Sequence, residues 1–137
     1  MINIKDFILK IKFLMIAIPI TFYIKFLIRF FLLNSVIDRV KKISALFLSR
    51  NNPIESIHRI NFWSMRLNRF LRIKSCLTNS LIKKIIFSSF GHNVEVICGI
   101  KLDNESKIEG HAWLCYQKNI VFEDKKCLKG YTESFRI

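Results

Sequence analysis

A chain of 137 residues, 51% hydrophobic and carrying 13 phenylalanines, has the side-chain volume for one folded domain, which excludes large multidomain scaffolds and a disordered segment. Four glycines and two prolines are too few for a turn-rich β-sandwich or a glycine-rich phosphate cradle, so helices should dominate. The net charge of +13 is lopsided, because residues 1–93 hold 16 Lys and Arg against three acids whereas residues 94–137 hold seven of each sign. A basic face of that kind attracts phosphates, anionic headgroups or acidic peptides in a salt-sensitive way. The abundance of Ile, Lys, Asn and Phe is also what AT-rich coding favours, so about half the weight belongs to charge that simply solvates helix faces.

In chain order, residues 7–33 are apolar, with Lys10, Lys12, Lys25 and Arg29 set among them and Pro19 near the middle, which predicts one kinked helix or two short ones. The longest charge-free run, residues 13–24, is shorter than the ~20 residues a bilayer span requires. Packing against the domain is therefore expected first, interfacial membrane attachment second and a true span third. No small-residue cleavage site follows the apolar run, so a secretory signal is not expected. A second helix is predicted over residues 36–48. Asn52, Pro53 and Glu55 have the spacing of a helix cap, first helical residue and third helical residue. From there Ile54, Ile57, Ile60, Trp63, Leu67, Phe70 and Leu71 form an apolar stripe, with Arg59, Arg66 and Arg69 elsewhere on the helix.

The next helix begins near Ser75 and Cys76 and stops at Phe90-Gly91, its stripe being Leu77, Leu81, Ile82, Ile85 and Ile86, with Thr78, Asn79, Lys83 and Lys84 opposite. The period then changes to two. Strands are expected over residues 94–100, 111–116 and 120–122, with a polar connection at 101–110 and a tight turn at 117–119. Helices followed by an antiparallel sheet make an α+β fold, with residues 1–50 as an apolar, basic helical extension and residues 51–137 as the domain itself.

Cys76 stands where a helix begins, just after Arg72 and Lys74, and both the helix dipole and the cations favour negative charge at its sulfur. Cys98 and Cys115 lie mid-strand and read as small core residues, while the segment around Cys127 carries no recognisable pattern. The cysteine spacings contain no C-x-x-C pair, which disfavours a metal site and is compatible with free thiols in a reducing cytoplasm. Of the histidines, His58 reads as a surface residue and His92 as part of a turn. His111 opens a strand on the same face as Trp113 and Cys115, where it can serve as a base. The next strand ends in Glu123-Asp124, a carboxylate source for holding the ring, so helix-start Cys, strand His and next-strand acid follow the papain-like order.

Three blocks in order, Ser75-Cys76-Leu77-Thr78-Asn79-Ser80-Leu81, Val96-Ile97-Cys98-Gly99-Ile100-Lys101 and Gly110-His111-Ala112-Trp113, resemble the transglutaminase-like leader peptidases of lasso-peptide biosynthesis, the microcin-processing proteins, over residues 54–135. The resemblance implies a cysteine protease with a papain/transglutaminase-like domain that removes the leader from a ribosomally made precursor peptide. It places Cys76 on the nucleophile and His111 on the general base. The family has Asp at the third position, and the same spacing falls here on Glu123, with Asp124 one residue further as the alternative. A one-residue step in a strand reverses the side chain, so only one of the two can serve. The backbone N–H of Cys76 is the expected oxyanion donor.

The resemblance implies three partners: the precursor peptide, a separate leader-recognition protein and an ATP-dependent lasso cyclase. It implies no bound cofactor and leaves any ATP requirement of the peptidase open. Residues 7–33 are the segment suited to membrane-surface contact. The competing reading is a non-catalytic basic module that binds anionic membrane or, less favoured, nucleic acid. Amide cross-linking by the same triad ranks third.

Overall fold

In the computed structural model, which describes residues 3–50 and 52–137, four helices precede a four-stranded antiparallel sheet. The elements are α1 (Ile4–Phe30), α2 (Leu33–Arg50), α3 (Ile57–Phe70), α4 (Cys76–Ser89), β1 (Val94–Leu102), β2 (Ile108–Tyr116), β3 (Asn119–Val121) and β4 (Thr132–Arg136). The fold is α+β, as the change of period predicts.

Asn3 caps α1 by accepting from the Lys5 N–H, and Asp6 and Arg29 sit at the ends where the helix dipole favours their charges. Pro19 does not divide the helix. Phe13, Ala17, Thr21, Ile24 and Leu27 are buried along one face on both sides of it, and that continuous packing carries the helix past the lost hydrogen bond. Phe13 meets the Trp63 ring of α3 and the Phe90 ring after α4, at centroid separations of 5.4 and 6.2 Å. One core joins these residues to Val36 and Val40 of α2, Ile60 and Leu67 of α3, and the inner face of the sheet at Val94, Val96, Ala112 and Leu114.

The helix α4 lies at the centre, against α1, α2, α3, β1 and β2, and all of residues 80–89 are buried. The outward face expected for Lys83 and Lys84 is therefore corrected. An amphipathic pattern assumes one packed side, and this helix is enclosed on every side. Lys83 Nζ donates to Asn61 Oδ1 at 2.9 Å and Lys84 Nζ to the Val94 carbonyl at 2.7 Å.

The start of α3 is also corrected. Residues 52–55 do not cap or begin it; Ser56 is the N-cap. That segment is held instead against the turn after α4, with the Ile54 N–H on the Phe90 carbonyl and His92 Nε2 on the Glu55 carbonyl at 2.6 Å. Gly91, at φ +84°, makes the close approach possible, since a methyl there would stand 2.4 Å from the Asn52 carbonyl carbon. Ile54 and Phe70, expected in the buried stripe, are 49% and 81% exposed.

The strand order is β3-β2-β1-β4. Strands β1 and β2 pair from Val94↔Tyr116 to Leu102↔Ile108, longer than their apolar cores suggest, because Asp103 accepts from the Glu105 and Lys107 N–H groups and closes the connection tightly. Gln117 and Lys118, both at positive φ, form the two-residue turn into β3, a geometry that matches strand twist. On the outer face Ile97, Trp113, Cys115 and Leu128 form a second, smaller cluster.

Candidate active site

Ser75 caps α4, its hydroxyl accepting from the Thr78 N–H, and Cys76 follows as a half-buried residue in the first turn. Backbone N–H groups in that turn have no intrahelical acceptor and point toward whatever approaches the helix start. One turn on, Ser80 Oγ donates to the Ala112 carbonyl at 3.3 Å, which fixes α4 against β2 beside His111.

His111 lies on β2 with its ring stacked on Trp113, the centroids 6.1 Å apart and the planes 22° apart, and Tyr131 flanks it at 5.6 Å. The indole needs space at the neighbouring strand, and Gly99 provides it. A methyl at that position would stand 2.6 Å from the Trp113 ring and 2.9 Å from the Thr132 carbonyl. His111 Nε2 meets Glu123 Oε1 at 2.6 Å, both side chains about one quarter exposed. That contact leaves Nδ1 as the ring nitrogen available for a second partner.

Glu123, rather than Asp124, reaches His111. Asp124 is exposed and accepts from the Lys126 N–H at 2.9 Å. Strict alternation does not place Glu123. Val121 and Phe122 both pack on the helix side, which a regular strand forbids, and the left-handed φ of 63° at Phe122 breaks the alternation. The Phe122 ring then stacks on Phe87 of α4, anchoring the turn that presents the carboxylate.

Cys76 and His111 border two clefts together. One, of about 150 Å³, is completed by Asn79, Lys83 and Glu123; the other, of about 280 Å³, by Cys98, Gly99 and Phe135. Among the described residues no hydrogen bond joins the Cys76 thiol to the His111 imidazole. Sequence reasoning missed Lys83 at this site. Burial holds its ammonium below the usual lysine range, and attraction to the Glu123 carboxylate partly offsets that.

Of the remaining candidates, Cys98 lines the larger cleft beside Cys76, while Cys115, Cys127, His58 and His92 line neither cleft. Burial pushes the Cys98 thiol up to about 11, with the neighbouring Cys76 adding to the effect, and burial also raises Cys115. Cys127 is exposed in the turn before β4. His58 is exposed and meets Phe122 edge-on, while His92 is buried, with Nδ1 3.2 Å from the Tyr116 hydroxyl. Among the described residues no group of three or more His, Cys, Asp or Glu side chains could hold a metal ion.

Comparison with family models matches residues 20–136 to the transglutaminase-like superfamily, and the chain belongs to that superfamily, whose members commonly act as cysteine peptidases or transferases. The matched span includes the C-terminal part of α1, from residue 20 on, and all of α2 as well as the sheet. Comparison with curated proteins and with solved structures gives no match.

Proposed function

We propose that this transglutaminase-like chain is a cysteine peptidase that removes the leader from a lasso-peptide precursor, with Cys76 as nucleophile, His111 as general base and Glu123 as the residue that orients the imidazole. The observation that carries the peptidase reading is the 2.6 Å contact of Glu123 with His111 Nε2, on a ring that shares its clefts with a cysteine at a helix start. What narrows the substrate is the order of the three sequence blocks around Cys76, Gly99 and His111. In this reaction His111 Nδ1 takes the Cys76 proton and the sulfur adds to the scissile carbonyl. The Cys76 N–H faces the resulting oxyanion. Collapse of that intermediate breaks the C–N bond, with His111 returning the proton to the departing amine. Water, deprotonated by His111, then releases the acyl group from sulfur. Glu123 holds the ring in the tautomer that leaves Nδ1 free and stabilises the imidazolium as it forms.

On this reading the precursor is presented by a separate recognition protein and the product passes to a lasso cyclase. The test is leader release, followed by mass spectrometry, in a mixture of precursor, recognition protein and this chain. Cys76→Ala should abolish it, and undiminished release by that variant rules the reading out. Adding a primary amine separates hydrolysis from amide transfer, because transfer gives a product heavier than the hydrolysed one by the amine less one water.

A second reading, membrane attachment, is favoured by the outer face of α1. Ile4, Phe7, Ile8, Ile11, Met15 and Phe22 recur there at helical spacing and are 43–75% exposed. By length and composition α1 could cross a bilayer, but doing so would pull Phe13, Ala17, Ile24 and Leu27 out of the core, so an in-plane seat is the form this reading takes. Flotation with anionic vesicles tests it. Nucleic-acid binding would have to use Phe62 and Phe70, exposed among the α3 arginines, since Trp63 is buried in the core.

A further inference from the structure

Between the C-terminal turns of α1 and the loop that leads into α4 lies a cleft of about 390 Å³. Its walls carry four cations, Lys25, Arg29, Arg72 and Lys74, and its lining includes Ile28 and Ile73 and no carboxylate. All four cationic residues are exposed, and among the described residues none of them pairs with an acid; the Lys and Arg ion pairs are made by Lys10, Arg59, Lys101, Lys107 and Arg136. Four like charges around one concavity repel, and the positive end of α4 adds to the field. Arg72 also takes a left-handed φ of 53°, a conformation that glycine or asparagine adopts at lower cost.

The position of the cleft is what gives the charge a use. Ser75 and Thr78 line it, and Cys76 lies between them in the same turn of α4. Cys76 itself faces the two clefts it shares with His111, so a peptide bound there enters this third cleft by continuing around the start of α4, a short path for an extended chain that advances about 3.3 Å per residue. We infer that the Lys25, Arg29, Arg72 and Lys74 cleft is a substrate subsite that takes an aspartate or glutamate side chain within about three residues of the cleaved bond. The apolar surface of Ile28 and Ile73 suits the methylene stem of such a side chain, which a bare phosphate lacks. The inference names a substrate feature for the proposed peptidase and rests on that reading for its place in catalysis, while binding in the cleft can be measured without it.

The binding arm uses the full chain with Cys76→Ala and a fluorescein-labelled peptide, Gly-Glu-Gly-Glu-Gly, compared with its Gln counterpart. The Glu peptide should bind more tightly, weaken as salt rises, and lose at least tenfold in affinity in Arg29→Glu and in Arg72→Glu, with circular dichroism and melting unchanged. Arg72→Lys, which keeps the charge, should retain most of the binding. Equal binding of the two peptides, or no loss on charge reversal in well-folded variants, overturns the inference. So does loss of anionic-vesicle binding on reversal while peptide binding is unchanged, which would assign the cleft to lipid headgroups. In the cleavage mixture the same reversals should raise KM about tenfold with kcat within threefold, and a precursor whose acid near the cleaved bond is replaced by Lys should recover on the reversed enzyme. Cleavage that needs Cys76 but ignores the reversals would sink the subsite alone. Cleavage that ignores Cys76 would sink the peptidase reading and leave the binding result standing.

Discussion

The C-terminal sheet and the N-terminal helices use charge in opposite ways. In residues 94–137, where the signs balance, five of the seven acids meet a basic side chain in place: Lys101 with Glu109, Lys107 with Glu105, Arg136 with Glu95 and Glu133, and the His111 imidazole with Glu123. Among the helices the acids are few, and Asp6 and Glu55 converge on one end of α1 and α3 through Lys10 and Arg59. The cations around the start of α4 are left facing solvent. Acids in the first region fix geometry within the molecule, and the cations at the start of α4 in the second are available to something outside it.

The largest effect should come from breaking the pairing at the site. Glu123→Ala is expected to lower kcat/KM for leader release by about 100-fold, whereas Asp124→Asn should change it less than twofold. Equal losses would mean that the turn after β3 matters only as a whole. Next is the packing that holds the ring. Gly99→Ala forces a methyl against the Trp113 indole and the Thr132 carbonyl, and should cost about 2 kcal/mol in denaturant unfolding as well as lowering activity. On the helical side the sign reverses. Arg72→Gly relieves the left-handed backbone and should stabilise the fold by about 1 kcal/mol while weakening the acidic peptide. Removing an exposed pair on the sheet, as in Arg136→Ala, should leave the denaturant midpoint nearly unchanged, since both partners are well solvated.

The site was legible in the text of the chain to the extent that local rules place its parts. A cap at Ser75, a helix-stopping Gly91 and alternation through β2 suffice to put Cys76 at a helix start and His111 on a strand. Spacing from His111 put Glu123 ahead of Asp124, but the geometry that brings its carboxylate to the ring depends on a positive φ at Phe122, which no residue preference announces. The strand β4 was invisible because Thr132–Arg136 is exposed throughout and shows no apolar alternation. Lys83 was misplaced for a tertiary reason: five elements surround α4, and a lysine there is buried with its ammonium satisfied by Asn61, a residue 22 positions earlier. The strap of residues 52–55 likewise follows from a contact with Gly91 that helix-capping rules do not contain.

Thiol chemistry offers the most direct test of the claim that Cys76 and His111 act as a pair, and it needs no substrate. Alkylation by iodoacetamide at pH 7 is followed cysteine by cysteine, by peptide mapping, in the wild-type chain and in His111→Ala. Burial, which pushes Cys98 up to about 11 and also raises Cys115, should keep those two essentially unlabelled. Cys76, although less exposed than Cys127, should react faster than it, and that advantage should vanish in His111→Ala. Slower labelling of Cys76 than of Cys127, at a rate unchanged by the loss of His111, would contradict the account.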